Sequence, residues 1–159
     1  MDVVVNASPL ILLCKAGFVE LLAQAANTVV VPDSVVTEIE AQPDDPACTM
    51  VRNLPWLRRV FARIPDSIKA WDLGAGESEV IAYALQNEGF RPLLDDAEGK
   101  ACALAHGLKP MGTGGLLITA KHKGSISKVA PILVAIRSKG LWIADDVFAA
   151  ILRIAGEEP

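Results

Sequence analysis

The run "DVVV" at residues 2–5 sets three β-branched apolar side chains in succession, with no polar residue between them. A strand wetted on one face alternates apolar and polar residues, so an unbroken apolar strand must be covered on both faces. The same character returns in "TVVVP" (28–32) and in "RPLL" (91–94), and helix-forming sequence follows each run. Short buried strands alternating with helices imply right-handed βαβ crossovers. The expected fold is α/β, with a central parallel β-sheet flanked by helices in three layers.

The segments between these strands can be read in the same terms. Ser8 is expected to cap a helix with Pro9 in its first turn, continuing through "LILLCKAGFVELLAQA". Asp33 is expected to cap "DSVVTEIEA", which runs into the turn-rich "QPDDPA". A third helical stretch, "CTMVRNLPWLRRVFARI", is interrupted by Pro55. The glycine loop "DLGAGE" leads into the helix "SEVIAYALQNEG". A helix from Asp96 to about His106, a short strand "LKPM" and a "GTGG" turn into "LLITAKHKG" come next. Helices "SKVAPILVAIRSK" and "DVFAAILRIAG" flank "GLWIA", and "GEEP" reads as a frayed end. No repeat, low-complexity tract or linker interrupts the chain, so residues 1–159 are expected to form a single domain.

A net charge of −4 excludes a generally basic nucleic-acid binder but leaves room for a local basic patch. Cys14, Cys48 and Cys102 have no CxxC spacing and read as reduced thiols, neither a disulfide frame nor a zinc site. His106 and His122 are too scattered for zinc and are expected at the surface. "GTGG" lacks the phosphate-loop pattern. The apolar start has no positive leader, and Lys15 interrupts it, so the expectation is a cytoplasmic protein with no membrane partner.

In open parallel sheets, function gathers beyond the carboxyl ends of the strands. Polar residues stand at three such points: Asn6, the pair Asp95 and Asp96, and Thr113. Glu38 and Glu77 lie on helices that can face the same place. Each has an ordinary structural explanation. Glu77 and Glu79 suit a helix N-terminus, Asp95 with Glu98 has the spacing of a capping box, and Glu38 suits a solvated helix face. Asn6 suits a bond to a neighbouring loop. Together, carboxylates from separate elements would repel one another unless a cation joined them. Mg²⁺ or Mn²⁺ suits such oxygen ligands and activates water for attack on a phosphodiester.

These segments resemble a PIN domain, the small α/β nuclease fold of VapC-like toxins. "VVVNASPLILLCKAGFVELL" is similar to the family's first strand and helix, and "VVVPDSVVTEI" to its second pair, which bears an acid at Glu38. "LGAGESEVIAYAL" is similar to a third acidic segment, giving Glu77. "PLLDDAEGKACALAHGLKPMGTGGLLITAKHKG" is similar to the last acidic strand end and its glycine turn. The combination resembles most a PIN-like subfamily that is largely uncharacterised. The resemblance implies a Mg²⁺- or Mn²⁺-dependent endoribonuclease, a toxin with an antitoxin protein as partner, and a homodimer. It implies that Asn6, Glu38, Glu77 and Asp95 or Asp96 hold the ion, supported by Ser8 and Thr113. One of the adjacent acids would bind metal and the other cap the helix or adjust the first. Where the family's first acid is Asp, this chain has Asn6, an amide that can ligate but cannot act as a base.

Arg52, Arg58, Arg59 and Arg63 form the strongest positive cluster, suited to RNA phosphates or an acidic partner peptide. Lys121, Lys123 and Lys128 read as a solvated helix face, and Trp56 and Phe61 as core. The rival to the nuclease is a PIN-fold module that binds nucleic acid or protein without cutting, a reading that Asn6 favours. An oligomeric scaffold using the apolar first and last helices is a third reading.

Overall fold

The computed structural model describes residues 1–159. Four strands, β1 (Asp2–Val5), β2 (Thr28–Pro32), β3 (Leu57–Val60) and β4 (Phe90–Leu93), pair in parallel in the order β3-β2-β1-β4. Val3 stands opposite Val29 on one side and Arg91 on the other. Val3, Val4 and Val5 are wholly buried, as strands covered on both faces must be. The covering helices are α1 (Ala7–Ala16), α2 (Glu20–Ala25), α3 (Asp33–Glu40), α4 (Pro46–Arg52) and α5 (Asp66–Lys69). They continue as α6 (Ala75–Gln86), α7 (Ala97–Ala105), α8 (Thr113–His122), α9 (Ala130–Ser138) and α10 (Asp145–Ile154). The α/β architecture expected from the apolar runs is the one observed.

Several local expectations fail for identifiable reasons. The helical stretch through "CTMVRNLPWLRRVFARI" is half helix and half strand. Helix α4 ends at Arg52, Pro55 lies in the turn beyond it, and Leu57–Val60 become the edge strand β3. Arg58 and Arg59 point to solvent there, which hides the strand from an apolar search and guards its open edge. The long first helix breaks into α1 and α2 at Gly17, whose φ of 80° takes the left-handed cap conformation. "LKPM" contributes a single parallel bridge, Met111 to Leu93, instead of a strand. Phe61 is not core; it is 72% exposed, just beyond the edge strand. Trp56 is partly buried, and its indole N–H donates to Glu20 at 3.0 Å.

The expected caps also shift. Asn6, not Ser8, occupies the N-cap position of α1, and Ser8 is exposed within the first turn. Pro32 precedes α3, while Asp33 sits in its first turn and pairs with Arg59.

The cap of α3 comes from another helix. Glu79 of α6 is 1% exposed and accepts the backbone N–H of Ser34 at 2.8 Å and of Ala62 at 3.0 Å. It ties α6 to the start of α3 and to the end of the edge strand, a role different from that of a helix-dipole acid. At the C-terminus, Glu157 accepts the amides of Val129 (2.6 Å) and Ala130 (2.9 Å) and the Lys121 ammonium (2.8 Å). "GEEP" is therefore a clasp on α9, not a frayed end, and Lys121 belongs to that clasp, not to a solvated face. No helix is long and apolar enough to cross a membrane.

Candidate active site

The chain runs outward from β1 to β2 and β3, then returns to place β4 on the other side of β1. The switch point therefore lies between the carboxyl ends of β1 and β4, where an open α/β sheet forms its binding crevice. Asn6 leaves β1 there, its backbone N–H bonded to Leu93 O at 3.0 Å. Its half-buried side chain makes no capping hydrogen bond. Asp95 and Asp96 leave β4 beside it.

The two adjacent aspartates do different work. Asp96 is the N-cap of α7, accepting the Gly99 N–H through Oδ2 at 3.0 Å. The Asp95–Glu98 capping box is not formed. Asp95 instead turns to Thr113, accepting its N–H at 2.7 Å through Oδ1 and its hydroxyl at 2.6 Å through Oδ2. Thr113 is fully buried. The pair thus fixes the glycine turn that opens α8 against the end of β4.

Glu77 lies in the first turn of α6, with its carboxylate against Gly99 of α7. Its Oε1 is buried and has no hydrogen-bond partner. Burial, followed by the charges of Asp96, Glu38 and Glu98, pushes its pKa up to about 7. Exposed Glu38 reaches over from α3, its Oε2 2.9 Å from where a Cβ on Gly76 would stand. Glu38, Glu77 and Asp96 thus form one electrostatic group. Sequence reasoning missed Glu98, which the capping-box reading had set aside. Its signal was the spacing that puts it on the first turn of α7.

These acids are neighbours but not a closed cage: no three Asp, Glu, His or Cys side chains converge as a ready-made metal site. The donor set still fits a hard divalent cation. It consists of oxygen ligands alone, and one carboxylate oxygen is buried without a partner. Cys102, the nearest thiol, is itself pushed up by burial and by Glu77, so it is no nucleophile.

The arginine cluster is dispersed. Arg52 pairs with Glu40 at 3.4 Å, and Arg59 pairs with Asp33. Arg58 and Arg63 are exposed, with no ion pair. Sheet order puts their strand at the edge, with β2 between it and β1. His106 is half-buried rather than superficial, its Nδ1 2.8 Å from Cys102 O and its Nε2 3.2 Å from Ser67 Oγ. His122 is exposed, as expected.

A sequence model described as a PIN domain matches residues 2–157. No curated protein and no solved structure matches the chain.

Proposed function

The chain belongs to the PIN-domain family, whose members are generally nucleases, and on that premise we propose that it is a divalent-cation-dependent endoribonuclease. The observation that carries the proposal is Glu77 Oε1, buried without a partner among the charges of Asp96, Glu38 and Glu98. Glu77, Asp96 and Glu38 would hold Mg²⁺ or Mn²⁺, with the Asn6 amide as a neutral fourth group. The ion supplies charge neutralisation and an activated water. Asp95 acts through Thr113: it fixes the turn into α8 and keeps the last acidic strand end in register with β1. Near neutral pH and without a cation, Glu77 shares its proton between two states, which limits repulsion inside the group.

The resemblance to VapC-like toxins extends the proposal to a toxin that acts as a homodimer in the cytoplasm and is held in check by an antitoxin protein. That extension rests on the order of the motifs alone. Arg58 and Arg63, exposed and without acidic partners, suit RNA or the antitoxin better than Arg52 and Arg59 do.

Asn6 favours a second reading, in which the fold binds RNA or protein and turns over little or nothing. Cleavage of structured and unstructured RNAs in Mn²⁺ and in Mg²⁺ separates the two. The comparison is between the parent chain, Glu77→Gln and Asp96→Asn. Cation-dependent cutting lost in both variants supports the nuclease, because a contaminating ribonuclease would survive either change. RNA retention without turnover by the folded parent supports the binding module.

A further inference from the structure

Lys100 stands beside Asp95 at the glycine turn, without an acid to hold it. It follows Asp96 by four residues on α7, so the two share a helix face, and a helical side chain leans toward the helix N-terminus. That direction leads to the switch point. The Lys100 ammonium lies 2.9 Å, and Asp95 Oδ1 3.0 Å, from the place a Cβ on Gly112 would take. Gly112 has φ −91° and ψ 176°, a backbone that any residue adopts. The space beside Gly112 is filled by the tip of Lys100, which a side chain there would displace.

The five ion pairs of the chain all engage other side chains, and the Lys100 ammonium donates no hydrogen bond. A half-buried lysine this near Asp95 would ordinarily settle on it. Asp95 is already engaged by Thr113 through both oxygens, and Asp96 by Gly99, so each is turned partly away. The result is a cation held at the edge of the acidic group, with its donors free.

We propose that Lys100 is the substrate-binding cation of this site, taking the non-bridging oxygens of an RNA phosphate and seating the strand against the acids. The inference rests on the nuclease reading above and adds a residue that it does not use. An RNA backbone must approach a group of carboxylates that repels it, and a fixed ammonium at their rim offsets that repulsion where the phosphate arrives. Lysine suits this task as a point charge with three donors, and it needs no fork geometry.

The test is single-turnover cleavage of a labelled single-stranded RNA in Mn²⁺ by the parent chain, Lys100→Ala and Lys100→Arg, across a range of NaCl. Loss of one charged contact to phosphate should raise the half-saturating concentration by about tenfold, with a smaller change in the maximal rate. The salt dependence of the second-order rate should fall by about one unit of slope, and arginine should restore most of the loss. Thermal melts of all three should coincide. Unchanged saturation and salt slope in Lys100→Ala, with cleavage intact, would overturn the inference and leave the nuclease standing. Equal impairment of alanine and arginine variants with lowered melting points would assign Lys100 to packing and overturn it too. No cleavage by the folded parent would overturn the nuclease reading and this inference with it.

Discussion

The carboxylate of Glu77 occupies the space that a side chain at position 99 would fill: a Cβ added to Gly99 would overlap Glu77 Oε1 and stand 2.7 Å from its Cδ. The Glu77 carboxylate can lie against α7 in this position only because residue 99 has no side chain. Gly99→Ala therefore tests the acidic group without changing any charge. Alanine favours a helix over glycine by about 1 kcal/mol, so the fold should persist with little change in melting point. Glu77 must swing away, and displacement of this size from productive geometry costs about 10²-fold in rate. Cleavage kinetics beside thermal melts decide the matter. Full activity in a stable Gly99→Ala protein would remove Glu77 from the site.

Glu77 also gives the protein a pH-dependent weakness. Its folded pKa is raised, by burial first and then by Asp96, Glu38 and Glu98, from the ordinary 4.5 to about 7. Below the ordinary value both folded and unfolded chains hold the proton, and the group costs nothing. Between that value and about 7 only the folded chain holds it, so stability falls as pH rises. Above it the cost is complete. Glu77→Gln should therefore stabilise the cation-free protein at pH 8, by about 1–2 kcal/mol after discounting for a half-exposed group, and do little at pH 4. Melts in a chelator at the two pH values measure this. Destabilisation at pH 8 would mean that the carboxylate has a partner.

The sequence shows some of these residues clearly and conceals others. Strands β1 and β2 are legible because burial on both faces leaves unbroken apolar runs, and β4 is legible through its buried second half, Pro92 and Leu93. Strand β3 is not, because an edge strand with two exposed arginines has neither an apolar run nor clean alternation. Asn6, Glu77 and the Asp95–Asp96 pair are legible as polar residues at the ends of such elements. Which aspartate caps and which holds Thr113 is not, since spacing allows both and only the turn at Gly112 selects. Glu79 was concealed for a different reason. Its partners are backbone amides 45 and 17 residues away, and backbone donors carry no side-chain signal.

Glu157 works by the same principle, at the end of the chain. It accepts the first amides of α9 and the Lys121 ammonium, contacts that hold its pKa down at about 2, Lys121 foremost. Its contribution is full above the ordinary carboxylate value and disappears as pH falls toward about 2. Glu157→Ala should lower stability at pH 7 by about 1–3 kcal/mol, the range for losing a helix cap and a charged hydrogen bond. The difference from the parent should shrink in melts below pH 4. A chain ending at Gly156 should match the alanine variant; if it melts like the parent instead, the clasp contributes nothing.

Asn6 is the group most open to improvement. Its side chain lies half-buried at the switch point with no capping bond, beside the end of β4. An amide offers the same oxygen as a carboxylate but no charge, so it adds little to the attraction for a cation. Asn6→Asp adds that charge. Without a cation it should worsen repulsion within the group, pushing the Glu77 pKa further up and lowering stability at pH 8. With a cation the added carboxylate becomes a ligand, and the melting point should rise more steeply with Mg²⁺ than it does for the parent. The neutral Asn6 leads us to expect cleavage that favours Mn²⁺ in the parent, and the added carboxylate should raise cleavage in Mg²⁺, which dehydrates reluctantly and binds through carboxylates. Calorimetric titration of both cations into parent and variant, beside RNA cleavage, measures each effect separately. If Asn6→Asp binds no tighter and cuts no faster, while Glu77→Gln abolishes cutting, the neutral amide is no handicap, and the acids of α3, α6 and α7 suffice on their own.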